Sequence, residues 1–402
     1  MFRALRHRDF AILLAGSFLS NVGTWMQAVA MGWLIYELTG SASWLGRIGF
    51  AGSVPTLLVG LIGGAFTEHA DRKRVLIWSS LLLALSTGTL TALVVTKNVE
   101  IWMLMMISFV SGVGTAFFMP VFQTILPTLV PAELLMNAIS LNSTSFNIAR
   151  VFGPLVAGWV MVHFGLGWCF AGTSLGFLIL ALIVPTLHLP PGPTGPRPPL
   201  GRSLIEGLGY ARHHPVIRRL LILCLAMSLF GFPFIVLMPA LARGSLNMDA
   251  QGFTHLVSML GVGAVAGGLT LASLGQVRRP GALVSGCALA FGLLLGALGL
   301  ATTPAGVMGL LATTGFCMIL SIASLNTLLQ ITVEDAMRTR VMSMLTVSLF
   351  GLPTIGAWML GALGDRIGIQ NALACGGSIV AATAVGVFLA SPELRATAEP
   401  RA

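Results

Sequence analysis

Long runs of apolar residues constrain this chain more than any other feature. Each run continues for about 20 residues, which is the length of an α-helix that crosses the hydrocarbon core of a bilayer. Inside hydrocarbon every backbone N–H and C=O group needs a partner within the protein, so only helices and closed barrels span a membrane. The runs do not alternate between polar and apolar residues as barrel strands do. They therefore predict helices.

The low charge content agrees with a membrane protein. Of the 402 residues, 56% are hydrophobic and 9% are charged, whereas a soluble domain carries about 25% charged residues. The mean hydropathy of +0.92 points the same way. The first apolar run, near 10–38, is far longer than the core of a signal peptide, so we expect it to be retained as a helix.

The runs predict an all-α integral membrane protein with twelve transmembrane helices. Several runs exceed about 20 residues, which predicts tilt or extension beyond the bilayer. The predicted helices lie near 9–38, 44–66, 75–96, 101–127, 137–162, 165–187, 215–242, 250–274, 280–301, 304–331, 338–363 and 367–390.

The two halves of the chain resemble each other. The segment that begins at Val130 is similar to the one that begins at Val333, and three glycines that follow the first match three that follow the second: Gly153, Gly158, Gly165 and Gly356, Gly361, Gly368. A six-helix repeat in one orientation is typical of a large class of transporters. We therefore predict two pseudo-symmetric six-helix bundles. The predicted parts are an N-terminal half at 1–187, a Pro-rich cytoplasmic linker with a short amphipathic helix at 188–214, a C-terminal half at 215–390 and a cytoplasmic tail at 391–402.

Lysine and arginine residues predict the orientation. Most of the 22 fall on one side of the predicted membrane. Few fall on the other side: Arg47, Lys97, Arg243 and Arg366. Because basic loops stay in the cytoplasm, both termini are predicted to be cytoplasmic. The formal charge of +9 is explained by these loops, so the predicted partners are the lipid bilayer and a small molecule, and not nucleic acid.

The cysteines predict neither a metal site nor a disulfide framework. All five lie singly in apolar stretches: Cys169, Cys224, Cys287, Cys317 and Cys375. The sequence contains no CxxC pair, no Cys/His cluster and no convincing nucleophile–base pair. We predict no cofactor and no enzymatic activity.

Carboxylates are missing from the middle of every predicted helix. Proton-driven transporters usually place a titratable carboxylate along the transport pathway. The nearest candidates for proton coupling are Glu37, at one end of the first helix, and Asp9, at its other end.

Arg150 is the one basic residue deep inside a predicted helix. It shares a helix face with three polar residues, Ser140, Ser143 and Asn147. A charge at this depth costs a few kcal/mol unless it faces protein or water. Two interpretations remain open: Arg150 binds an anionic or phenolic group of a substrate, or it is a structural cation bonded to carbonyls and polar neighbours of another helix.

Further polar and aromatic residues are candidates for lining a substrate cavity. Each alone is consistent with ordinary helix packing, but amides, aromatics and methionines together suit a large amphipathic substrate. The full set of cavity candidates is Asn21, Trp25, Met119, Gln123, Asn147, Arg150, Phe232, Asn326 and Gln330.

A charged hinge, Gly63–Arg74 (GGAFTEHADRKR), separates the second and third predicted helices, and a similar layout recurs near Gly267 and Arg278. With this hinge, the stretches 21–41, 143–158, 278–281 and 335–343 resemble the major facilitator superfamily, and within it the transmembrane secretion effector branch, which includes bacterial enterobactin exporters. The resemblance spans nearly the whole chain in order. It implies a bacterial inner membrane, and it does not identify the substrate.

The resemblance also implies a role for the hinge. In the superfamily this loop closes the cytoplasmic end by contacts with the start of the eleventh helix, which gives the candidate gate Gly64, Glu68, His69, Asp71, Arg72, Lys73 and Arg340. Glu68 and His69 stand where the family has Asp and Arg, so a weaker or pH-dependent gate is expected. The plain alternative is a solvated loop that sets topology.

The predicted function is that of a monomeric secondary transporter. The resemblance implies proton-coupled antiport, and we expect export of a small amphipathic molecule, siderophore-like or drug-like, by alternating access. Two alternatives stay open. One is transport of a lipid or lysophospholipid, and the other is a membrane sensor or scaffold that transports nothing.

Overall fold

The computed structural model describes residues 3–62, 71–188, 209–274 and 280–392. Within these ranges the chain is helical and contains no strand. Eleven helices in them are long and apolar enough to cross a membrane. The predicted all-α membrane fold is confirmed.

Helices lie at all twelve predicted positions. The first six are α1 (Arg8–Thr39), α2 (Ala42–Ile62), α3 (Arg72–Val95), α4 (Ile101–Ile125), α5 (Leu135–His163) and α6 (Gly167–Ile183). The next six are α7 (Pro215–Ser245), α8 (Ala250–Leu274), α9 (Pro280–Leu298), α10 (Pro304–Thr332), α11 (Asp335–Ile367) and α12 (Ile369–Ala390). Of the short amphipathic helix predicted near 203–214, residues 209–213 are described and helical, and the part before 209 lies outside the described ranges.

Local sequence signals set several helix ends. Asp71 caps α3, because its Oδ1 accepts the N–H groups of Lys73 (2.9 Å) and Arg74 (3.4 Å). Gly165 follows the end of α5 with φ +92°, and Gly368 separates α11 from α12 with φ +88°. Both glycines adopt a backbone conformation that residues with a Cβ rarely take, so the chain reverses within a few residues.

The seventh helix is not a regular α-helix along its whole length. Residues Met227–Gly231 and Ala240–Ser245 are π-helical, and Pro233–Pro239 between them is α-helical. Proline has no N–H to donate, and its ring clashes with the preceding turn. The first π segment precedes Pro233, so its wider turn accommodates the ring of Pro233, and Pro239 lies directly before the second π segment.

The helices form two compact units. The first contains Met1–Thr39 and Ala51–Pro199, and the second contains Gly40–Phe50 and Leu200–Ala402. Residues Gly40–Phe50, which include the first turns of α2, therefore group with the second unit, although the sequence places them in the first half of the chain.

Within the first unit, α1 packs against α5 and α6, and α3 packs against α4 and α6. The α1–α6 contact is close, because a Cβ added to Gly23 would lie 2.7 Å from the Cα of Thr173. The Thr173 hydroxyl donates a 2.6 Å hydrogen bond to the carbonyl of Gly23. Small residues let membrane helices approach in this way.

The second unit repeats this neighbour pattern. There α7 packs against α11 and α12, and α9 packs against α10 and α12. The equivalence extends to single glycines. An added Cβ at Gly112 on α4 would overlap the carbonyl oxygen of Gly52 on α2, and one at Gly315 on α10 would overlap that of Leu260 on α8. The internal repeat read from the sequence thus has a counterpart in helix packing.

Candidate functional site: an arginine face on α5 and the charged hinge

Trp25 on α1 and Phe146 on α5 form an aromatic pair in the first unit. Their ring centroids are 6.1 Å apart and their planes meet at 67°, which is an edge-to-face arrangement. Seven residues after Phe146, Gly153 brings the helices together, since an added Cβ there would overlap the Cβ of Trp25. Asn21, one turn before Trp25, is half-buried.

Arg150 lies one turn after Phe146 and one turn before Gly153, so it shares the face of α5 that meets Trp25. Its side chain is half-buried. Among the residues that the structure describes, none forms a hydrogen bond or an ion pair with the Arg150 guanidinium. The structural-cation interpretation requires such a bond to a neighbouring helix, and the described part of the chain does not supply one.

Two polar side chains near Arg150 form hydrogen bonds to carbonyls of their own helix. The Asn147 amide donates to the carbonyl of Ser143 (2.8 Å), and the Ser140 hydroxyl donates to that of Met136 (2.8 Å). Ser140, Ser143 and Asn147 are all exposed. The predicted polar stripe therefore exists as an open face of α5.

The remaining cavity candidates fall into two groups, one in each unit. Met119 and Gln123, one turn apart on α4, are both exposed. In the second unit, Gln330 donates a 3.2 Å hydrogen bond to Asn326 on the same helix, α10. Phe232 is 7% exposed and lies 5.8 Å from the ring of Phe291, so it is part of the interior of its unit.

The described end of the hinge is tied to the first unit. Lys73 donates from Nζ to the carbonyl of Leu187 (3.0 Å), and Asp71 caps α3 and pairs with Arg74 at 3.4 Å. Arg72 is half-buried. Three predicted gate residues, Gly64, Glu68 and His69, lie outside the described residues. Arg340 lies in the second turn of α11 and is half-buried.

The two coupling candidates occupy the ends of α1. Asp9 Oδ2 accepts the backbone N–H of His188 (2.9 Å) and lies 3.2 Å from its ring Nδ1. This contact fastens the start of α1 to the segment that follows α6. Glu37 is exposed in the last turns of α1.

Sequence reasoning missed two residues near these sites. Phe146 lies four residues before Arg150, so helical spacing could have placed it on the Arg150 face. Asp365, near the end of α11, is not among the candidates that the sequence gives. Its carboxylate contacts the start of α2, and no local pattern reveals a contact between residues so far apart in the chain.

The fold and its internal repeat are of the major facilitator type. Solved structures with this fold include a bacterial homologue of the human lysosomal transporter Spinster, captured inward-facing and unoccupied, with a TM-score of 0.74 at 14% identity, covering 96% of this chain and 97% of that one. A D-xylose–proton symporter gives a TM-score of 0.72 at 14% identity, with coverage of 96% and 98%.

The family follows from the sequence comparison. The family described as transmembrane secretion effector matches residues 1–402, and the chain belongs to it. Its members are membrane transporters and not enzymes. Similar proteins include enterobactin exporters of Shigella boydii serotype 4 and of Escherichia coli O81 (strain ED1a), each 27% identical over 368 residues, or 89% of this chain and 86% of the relative.

Proposed function

We propose that this transporter exports a small amphipathic molecule across a bacterial inner membrane. The relatives named enterobactin exporters support export, and a siderophore-like or drug-like compound fits an amphipathic face. In this proposal both termini are cytoplasmic, the protein acts as a monomer, and the two six-helix halves alternate access to one central site.

One observation carries the proposal: the Arg150 guanidinium has no protein partner among the described residues, although it lies within a membrane-spanning helix. An unpaired charge at such depth is costly unless it faces water or binds a ligand. The ring of Phe146 lies one turn away and contacts Trp25. A substrate with an acidic or phenolic group beside an aromatic body matches both features, because the anion pairs with arginine and the aromatic body packs on the rings.

The charged hinge is proposed to close the cytoplasmic end during the cycle. The gate comprises Gly64, Glu68, His69, Asp71, Arg72, Lys73 and Arg340. Support comes from Asp71 and Lys73, which fix the start of α3 through its cap and through the carbonyl of Leu187. These contacts hold the first turn of α3 in place beside the proposed gate.

Proton antiport is proposed as the driving force, with Glu37 or Asp9 as the carrier. These carboxylates lie at opposite ends of α1, and α1 also carries Trp25. In this proposal, a change of protonation at either carboxylate moves α1, and because Trp25 lies on the same helix, the movement also shifts the aromatic pair beside Arg150.

The experiment is a transport screen in proteoliposomes with purified protein, an imposed pH gradient and an internal pH dye. Siderophores, anionic and cationic drugs and lysolipids are added one at a time. Dissipation that depends on an amphipathic anion supports the proposal. Dissipation with lysolipids alone would favour lipid transport instead, and binding without any transport would favour a sensor.

A further inference from the structure

A group of basic residues lies exposed at the start of α7, within the second unit. Arg212, His213 and His214 directly precede the helix, and Arg218 lies in its first turn. All four are exposed. We call them the α7 basic surface. Among the residues that the structure describes, neither arginine side chain has a hydrogen bond or an ion pair. The described part of the protein therefore leaves the charge of this surface without a partner.

The short helix before α7 is fastened to its own unit. The Tyr210 hydroxyl accepts the backbone N–H of Glu334, the residue before α11, at 3.5 Å. The ring of Tyr210 also packs against that of His214, with centroids 4.3 Å apart. Ala211 is buried beside it. These contacts hold the short helix in place, while the neighbouring side chain of Arg212 stays exposed.

Adjacent residues in this segment make different use of their nitrogen atoms. Arg219 is half-buried, and its Nη1 donates to the Ser391 hydroxyl (3.3 Å). The next residue back, Arg218, is exposed. In His213, the ring Nδ1 lies 2.8 Å from the carbonyl oxygen of Gly209, so Nε2 is the nitrogen that remains for a ligand. Arg219 thus supports the fold, whereas Arg218 and His213 present donors to the surroundings.

The internal repeat provides a comparison for this surface. In the repeat, α1 is the counterpart of α7, because each packs against the last two helices of its unit. Residues 6–8 (RHR) at the start of α1 resemble residues 212–214 (RHH) before α7. The next residue is Asp9 in the first unit and Pro215 in the second. A carboxylate therefore follows the basic stretch of the first unit directly, and the second unit has none at that position.

We propose that the α7 basic surface binds the headgroup of an anionic phospholipid. Pro215–Ser245 is long and apolar enough to cross a membrane, so the surface lies where a spanning helix meets the headgroup layer. Basic residues beside a membrane helix attract anionic lipids, and arginine binds phosphate oxygens through charge-assisted hydrogen bonds. The lipid phosphate supplies the acceptors that the described residues do not. This inference goes beyond the proposed function and holds for any transported molecule.

Thermal unfolding of the purified protein in a neutral detergent tests the site, because a lipid that binds the folded state raises the unfolding midpoint. Phosphatidylglycerol is expected to raise the midpoint, and phosphatidylcholine, which has no net charge, to raise it much less. In Arg212→Gln/Arg218→Gln, at least about half of the rise with phosphatidylglycerol should be lost. The matched control, Lys97→Gln/Arg366→Gln, removes two exposed charges elsewhere and should keep the full rise. Equal losses in the two double variants would overturn the proposal.

Two further measurements use the parent protein alone and do not depend on how a variant folds. The rise with phosphatidylglycerol should shrink as sodium chloride is added, because salt screens exposed charges. Inorganic phosphate in place of the lipid should give little rise. A rise that persists at high salt, or one as large with inorganic phosphate, would overturn a lipid site. Neither measurement needs a transported compound, so a transport screen without a hit would contradict the proposed function and leave this result standing.

Discussion

The ring of Trp25 on α1 meets the ring of Phe146 on α5 edge to face, with centroids 6.1 Å apart. Arg150 follows Phe146 by one turn on the same face of α5. This relationship places a cation next to an aromatic pair inside a membrane-spanning segment. The proposed recognition of an amphipathic substrate rests on this arrangement.

Replacing Arg150 is expected to weaken transport without unfolding the protein. Arg150→Gln removes the charge and should lower the transport rate at least about tenfold, equivalent to about 1.4 kcal/mol. Arg150→Lys keeps the charge, loses the planar donor pair and should have a smaller effect. Transport assays and thermal unfolding of the purified variants measure both properties. Ile148→Ala, at an exposed position on another face of the same helix, is the matched control, and normal transport by folded Arg150→Gln would exclude the substrate role.

Gly153 is expected to tolerate no side chain. A Cβ there would overlap the Cβ of Trp25 and lie 3.2 Å from the carbonyl oxygen of Val22. Gly153→Ala should therefore destabilise the fold by about 1–3 kcal/mol, the usual cost of overpacking. Gly261→Ala is the control, because a Cβ at Gly261 meets nothing within 4 Å. Unfolding midpoints that do not differ between the two variants would contradict the close α1–α5 contact.

Lys73 and Arg74 are adjacent in the chain, but we predict that they contribute differently to the stability of the fold. Lys73 bonds to the carbonyl of Leu187, so Lys73→Gln should cost about 0.5–1.5 kcal/mol of stability. Arg74 pairs with Asp71 while their side chains are 81% and 53% exposed, and Arg74→Gln should change stability by less than about 0.5 kcal/mol. Denaturation of both variants under the same detergent conditions compares them. A larger loss of stability in Arg74→Gln than in Lys73→Gln would contradict this prediction.

Neutralising the coupling carboxylate should separate substrate movement from proton movement. In one of Glu37→Gln and Asp9→Asn, we expect substrate exchange between the two sides to persist while accumulation against a gradient is lost. The other variant serves as its control. Counterflow and pH-driven uptake, measured on the same vesicles, distinguish these outcomes. Normal gradient-driven transport in both variants would contradict coupling through α1.

Most of the fold was predictable from the sequence because a bilayer leaves few choices. Apolar runs located all the helices, and predicted ends such as 250–274 agree with the structure. The π segments beside Pro233 and Pro239 were not predicted, because proline signals a distortion without specifying its type. The polar stripe through Arg150 followed from helical spacing, whereas the contact of Asp365 with α2 depends on folding of the whole second unit.

The central claim, substrate-coupled proton transport at the Arg150 face, is tested most directly by one measurement. Proteoliposomes that contain the parent protein or Arg150→Gln are loaded with a pH dye, and an amphipathic anion from the screen is added under an imposed gradient. We predict that the substrate dissipates the gradient in parent vesicles and that the rate falls at least tenfold in Arg150→Gln. Equal rates in both preparations, or no dissipation with any compound that binds, would contradict the account.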